Sequence, residues 1–153
     1  MKLKEFYKKL EKKDFFKKFT KENQDVYLIS VFCIITKNEK ESDKIAFNFY
    51  SPLKKRFFCS EYPFYEIKEL EEREINEKPL ALEKLKVDME DLLEKVNNLS
   101  KDKKQTKIIG FLLNKGWKIR VFYNDLSLKK IDLDLNGNIE NIEEANLINN
   151  INN

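Results

Sequence analysis

The chain has 153 residues, 41% of them hydrophobic, with twelve Phe, six Tyr and a net charge of +3. A chain of this length buries roughly two thirds of its unfolded surface, and this much apolar material excludes global disorder. Histidine is absent, which removes Ser-His-Asp and Cys-His catalysis, His-ligated metals and histidine-based pH sensing.

In chain order, Leu3, Phe6, Tyr7 and Leu10 recur at helical spacing with Lys and Glu between them. Asp14 interrupts that stripe, and Phe15, Phe16 and Phe19 begin a new phase. Asp14 is then either the N-cap of a second short helix or a point where one helix rotates its buried face. Val26–Thr36 is β-branched and aromatic on both alternating sets, as in a central strand covered on both faces or nearly so. A polar loop over 37–43 leads to the alternating strand Ile45–Tyr50, and Arg56–Ser60 follows as a third strand. The stretch 66–78 is acidic, and Glu69–Glu74 within it reads as one exposed helical turn or a linker, broken by Pro79.

Asp88 is an N-cap signal, with Asp91 three residues on and Val87 placed to staple against Leu92. Met89, Leu92, Leu93, Val96 and Leu99 give the following helix one apolar face. Ile108–Leu113 is a strand, Asn114-Lys115-Gly116 a turn, and Trp117–Tyr123 alternates cleanly as the next strand. Leu128–Leu135 is the last clear strand, and the Asn-rich residues 146–153 read as a frayed tail. No internal repeat is evident, although the two halves share a helix-then-strands order. These elements make one α+β domain over residues 1–145: two layers, with an antiparallel sheet of about five or six strands packed on two main helices. Phe6, Leu10, Val31, Phe47, Leu92, Val96, Ile119, Val121 and Leu133 are expected in one core.

Asp132–Glu143 carries two exclusive readings. Asp132, Asp134, Asn136, Gly137 and Glu143 stand at positions 1, 3, 5, 6 and 12 of an EF-hand calcium loop. The same letters alternate Ile131, Leu133 and Leu135 with acidic residues and then turn at Asn136-Gly137, as a β-hairpin does. The hairpin is preferred, because wrapping a cation would turn Leu133 and Leu135 away from the core face. No metal is therefore assigned.

The remaining chemistry is sparse. Cys33 and Cys59 lack C-x-x-C spacing, and Cys33 in its apolar run reads as a buried thiol; the two could bridge only if their strands were neighbours. Gly110, Gly116 and Gly137 are too few for a phosphate-cradling loop. No acidic residue sits in an apolar context suited to acid–base work, so no enzyme and no cofactor is expected. The longest apolar run is far short of the ~20 residues of a membrane helix. With no targeting segment visible, the expected location is cytoplasmic.

Basic residues exceed acidic ones over 1–60, and the reverse holds over 61–100. Apolar strands with such segregated charge point to protein–protein contact, including pairing as a homo-oligomer. The alternative is RNA or single-stranded nucleic acid, held by the Lys-rich first helix and the aromatic-basic stretch Lys54, Lys55, Arg56, Phe57 and Phe58, with Tyr62 and Phe64 following.

The helix at Met89, the strand opening at Trp117 and the close Asp132-x-Asp134-x-Asn136-Gly137-x-Ile139 look like the tail of a PepSY or cystatin-like module over roughly residues 85–143. Lys4-Glu-Phe-Tyr-Lys-Lys-Leu10, Glu22-Asn23, Asp25-x-Tyr27 and Lys86-Val-Asp-Met-Glu-Asp-Leu92 resemble small uncharacterised archaeal α+β proteins. Both resemblances imply a fold and carry no activity with them.

Overall fold

The computed structural model describes residues 2–37, 43–75, 77–99 and 102–146. The N-terminal stripe folds as two helices, α1 (Leu3–Glu11) and α2 (Asp14–Glu22). The second helix is present, but its N-cap is Lys13 and Asp14 is its first residue, an acidic side chain in the first turn that suits the positive end of the helix dipole. Four strands follow: β1 (Tyr27–Thr36), β2 (Lys44–Ser51), β3 (Arg56–Glu61) and β4 (Lys68–Glu72). A connection containing the 3-10 turn Leu82–Lys84 leads to α3 (Met89–Leu99) and then to β5 (Gln105–Leu113), β6 (Gly116–Tyr123), β7 (Ser127–Asp134) and β8 (Ile139–Asn146).

All eight strands form one antiparallel sheet in the order β4-β3-β2-β1-β5-β6-β7-β8. It is therefore two meanders joined first strand to first strand, with Val31 opposite Leu112 and Thr36 opposite Lys107 at the junction. The α+β layering holds, but the sheet has eight strands rather than five or six, and there are three α-helices rather than two. The missed strands are the two edges. Lys68–Glu72 lies where a helical turn or linker is expected, and Ile139–Asn146 is the return strand of the expected Asn136-Gly137 hairpin, not marked as a strand of its own; every residue but one in the two is exposed and no apolar alternation marks them. Backbone pairing holds them instead, as suits charged edge strands. Arg56 adds ion pairs to Glu69 (3.0 Å) and Glu72 (3.6 Å) across β3–β4. Asn146 pairs with Ser127 as the last residue of β8; the rest of the expected frayed tail, and most of the expected 37–43 loop, lie outside the described residues.

The core lies on one face of the sheet. Leu10, Val31, Phe47, Leu92, Val96, Ile119, Val121 and Leu133 are buried together as expected, and Phe6 packs against them half-buried. A row from β3 to β8 reads Ser60, Phe47, Val31, Leu112, Trp117, Leu133, Ile139. Phe16 and Phe19 cover Phe49 and Phe58 on one half, with ring centroids 4.8–6.1 Å apart. On the other half Leu92 and Val96 of α3 share the core with Trp117, whose indole N–H donates to the Val87 carbonyl at 2.9 Å. Gly110 leaves room there: a Cβ on it would lie 2.9 Å from Cys33 Sγ and 3.1 Å from the Trp117 ring. Each large side chain buried in this way contributes ~1.5–3 kcal/mol.

Two charged groups fasten the helices. The Asp88 carboxylate accepts the Met89 N–H at 2.7 Å, and the Asp88 N–H donates to Asp91 at 3.0 Å, which is the expected start of α3. At the other end, Lys129 reaches from the core face of β7 to donate to the Leu99 carbonyl at 2.9 Å, placing a cation at the negative end of the helix dipole.

Candidate interaction surface

Because all three helices share their core with one face of the sheet, no helix of the described residues lies on the opposite face. Strand alternation sends Phe32 and Ile34 of β1 to this outer face, with Ile109 and Phe111 of β5 beside them. One outer row reads Glu61, Ala46, Phe32, Phe111, Lys118, Asp132, Asn141; the next reads Lys44, Ile34, Ile109, Arg120, Lys130, Glu143. The inner rows are apolar nearly from edge to edge. The outer rows are apolar only in the middle and charged towards both sides. Phe32 and Phe111 touch with centroids 4.8 Å apart, and Phe111 remains 41% exposed. Further along the same face Tyr50 packs between Tyr27 (6.0 Å) and Phe57 (5.0 Å).

The outer apolar set was not singled out in the sequence. Its signal was there: both alternating sets of β1 are apolar, which reads as cover on both faces. The structure makes β1 central and places the helices of the described residues on its inner side; on the outer side Tyr50 and Ala46 are buried by their neighbours, while the Phe32–Phe111 region stays partly open. Phe32 and Ile34 are half-buried, whereas Val31, Cys33 and Ile35 are buried.

The aromatic-basic stretch does not converge into one patch. Pleating sends Phe58 to the core against Phe19 and Phe57 to the outer face against Tyr50. Phe64 is 1% exposed and belongs to the core. Lys54 donates to the Asn23 side chain, Lys55 is 4.0 Å from Glu74, and Arg56 is held by Glu69 and Glu72. Of the four aromatics Phe57, Phe58, Tyr62 and Phe64, only Tyr62 is exposed. It packs edge-on to Phe6 at 5.0 Å, and the Lys9 ammonium sits 5.7 Å from its ring centre. Lys9, Lys12, Lys13, Tyr62 and Pro63 line a shallow groove beside the end of α1.

Asp132–Glu143 is a hairpin. Asp132 lies opposite Asn141 on the outer face, and Glu143 lies opposite Lys130. The Asp134 carboxylate is engaged by the turn itself, accepting the N–H groups of Asn136 (2.9 Å) and Asn138 (2.8 Å) and the Asn138 side-chain amide (3.0 Å). The Asn138 bonds, followed by those of Asn136 and Gly137, hold this carboxyl below its ordinary range. Among the described residues, no three His, Cys, Asp or Glu side chains form a group that could hold a metal ion.

Neither thiol is activated. Cys33 faces the core, where burial pushes its pKa up to about 12, and burial also raises that of Cys59. The two lie on opposite faces and on strands separated by β2, so they cannot meet. No helix of the described residues is long and apolar enough to cross a membrane.

The class defined by these features is an α+β layer with a helix-covered face and an open sheet face. No family model, curated protein or solved structure matches the chain.

Proposed function

We propose that this is a non-enzymatic binding protein that acts through protein–protein contact at the open sheet face. The reading rests on one observation: Phe32, Ile34, Ile109 and Phe111 form the centre of a sheet face that no helix of the described residues covers. An apolar patch rimmed by charge, here Glu61 and Lys44 on one side and Lys118 and Arg120 on the other, has the layout of a protein interface. Affinity capture with the wild-type chain and with Phe111→Lys tests it. The variant retains its circular dichroism and loses the captured proteins or its self-association. An unchanged set of contacts, or a wild-type chain that is an inert monomer with no partner, overturns the proposal. A cytoplasmic location, the homo-oligomeric form and the resemblance to PepSY-like modules stand as parts of the same proposal.

A second reading has its own observation. Tyr62 is presented beside Lys9, Lys12 and Lys13, which combines a stacking ring with phosphate-binding cations. Single-stranded nucleic acid then binds at the end of α1 rather than along Lys54–Phe58. Gel shifts with a single-stranded RNA should show binding that weakens steeply between 50 and 200 mM salt and is lost in Tyr62→Ala. No complex even at low salt removes this reading.

A further inference from the structure

We infer that the occupant of the open sheet face is a second copy of this chain, packed sheet to sheet about a two-fold axis running along β1; this rests on the proposed use of that face for protein contact. The contacts at the edges disfavour other self-pairing. β4 carries Glu69, Glu71 and Glu72, and β8 carries Glu140, Glu143 and Glu144, all exposed. Edge-to-edge continuation of the sheet would crowd these carboxylates, which Arg56 and Lys129 balance only in part. The helical side presents Lys8, Lys9, Lys12, Lys17 and Lys18 outward and repels its own copy in the same way. Among the described residues, the outer sheet face gathers Phe32, Ile34, Ile109 and Phe111 into an apolar centre.

Strand register selects the axis. A two-fold along β1 keeps each row over itself and exchanges left with right. Phe32 then meets Phe32 of the second copy, small Ala46 meets Phe111, and Glu61 of β3 meets Lys118 of β6. Size and charge match in this row; in the next row Ile34 meets Ile34 and the Lys44 stem lies over Ile109. A two-fold across the strands instead stacks β6 on β6 and sets Lys118 against Arg120 of the second copy. The aligned arrangement is also the usual one for two sheets packing face to face.

The area is sufficient but modest. Five strands from β3 to β6 at ~4.8 Å spacing and about six residues of length give a footprint of roughly 500 Å² per copy. Side-chain relief brings the total to roughly 1,200 Å², the lower end of stable interfaces.

Sedimentation velocity over a concentration series tests the inference with the full chain. Wild type moves from monomer to dimer, and Phe111→Lys stays monomeric with its circular dichroism intact. Glu61→Lys and Lys118→Glu each weaken the dimer ~10-fold or more, and the double swap restores it to within ~3-fold, because a charge-reversed pair regains its attraction. A chain that is monomeric at every concentration overturns the second copy as occupant and leaves docking of a different protein standing. A dimer indifferent to Phe111→Lys and to the charge swaps overturns both the interface and the proposed use of this face.

Discussion

The backbone N–H of Leu3, at the first turn of α1, donates to the carboxylate of Asp88 at 3.1 and 3.2 Å to its two oxygens. The same carboxylate caps α3, so one side chain eighty-five positions away ties the starts of two helices together. Asp88→Ala leaves N–H groups of both helices without their acceptor. Loss of one N-cap costs ~0.5–2 kcal/mol, and the shared site should cost about 1–3 kcal/mol. Asp88→Asn, which keeps an acceptor oxygen, should cost less. Urea unfolding of the two variants checks the order; equal stability of Asp88→Ala and wild type would remove the clamp.

Gly137 sits in the β7–β8 turn with φ of +91°, and a Cβ built on it would collide with the Val87 side chain. Gly137→Val should destabilise by about 2–4 kcal/mol through strain and overlap combined. Adding Val87→Ala should relieve the overlap but not the backbone strain, giving partial recovery relative to the Val87→Ala background. Full recovery, or none, would show that only one of the two causes operates.

Asp134 tests the hairpin against the calcium loop. Asp134→Ala removes the acceptor for Asn136 and Asn138 and should lower the melting temperature by the same amount with and without millimolar calcium. Micromolar calcium binding in calorimetry, abolished by Asp132→Ala, would establish the loop reading instead.

Alkaline pH should unfold the chain from the core outwards. Cys33 keeps its proton in the folded state up to about 12 against an ordinary 9.0, through burial. Its contribution is complete below pH 9 and declines as pH rises towards 12, at about 1.4 kcal/mol per pH unit for one group. Tyr7, raised from 10.0 to about 12 by burial and then by Glu11, adds to the decline above pH 10. Urea midpoints at pH 8, 9 and 10 should fall for wild type and fall less for Cys33→Ala. Parallel curves would exclude the Cys33 thiol as the source.

Gly110 should resist enlargement. Gly110→Ala places a methyl 2.9 Å from Cys33 Sγ and 3.1 Å from the Trp117 ring, at a cost of about 1–3 kcal/mol. Cys33→Ala in the same chain should recover part of that loss, because the two residues are directly opposite in β1 and β5. Additive losses would mean that the Trp117 ring, and not the thiol, sets the limit.

Elements that bury a face were legible from the sequence, and elements that do not were hidden. Periodicity marked six strands, the break at Asp14, the cap at Asp88 and the hairpin at Asn136-Gly137, because each has an apolar rhythm or a turn residue of fixed meaning. β4 has neither, and β8 has only the turn before it; Lys68-Glu-Leu-Glu-Glu72 is a strand only because β3 offers it a hydrogen-bonding edge. The candidate surface was hidden for another reason. Ile34 and Phe32 read as buried on chemistry alone, and only the placement of all three helices over Val31 and Cys33 reveals that the other side is open. Phe57 and Phe58 looked alike in the sequence, and pleating sent one to each face.

The junction of β1 with β5 sets a schedule during synthesis. Everything from α1 to β4 leaves the ribosome before Gln105, the first residue of β5, has been made. At ~5–20 residues per second the stretch from Thr36 to Gln105 takes roughly 4–14 s. Through that interval the inner edge of β1 has no strand to bond with, and its apolar side chains are exposed beside an unpaired backbone. Two nascent chains on one message could join there, β1 to β1, in place of the β5 each is still waiting for. Prompt arrival of the second meander thus protects the first, and slow translation across residues 73–104 should raise the yield of intertwined chains.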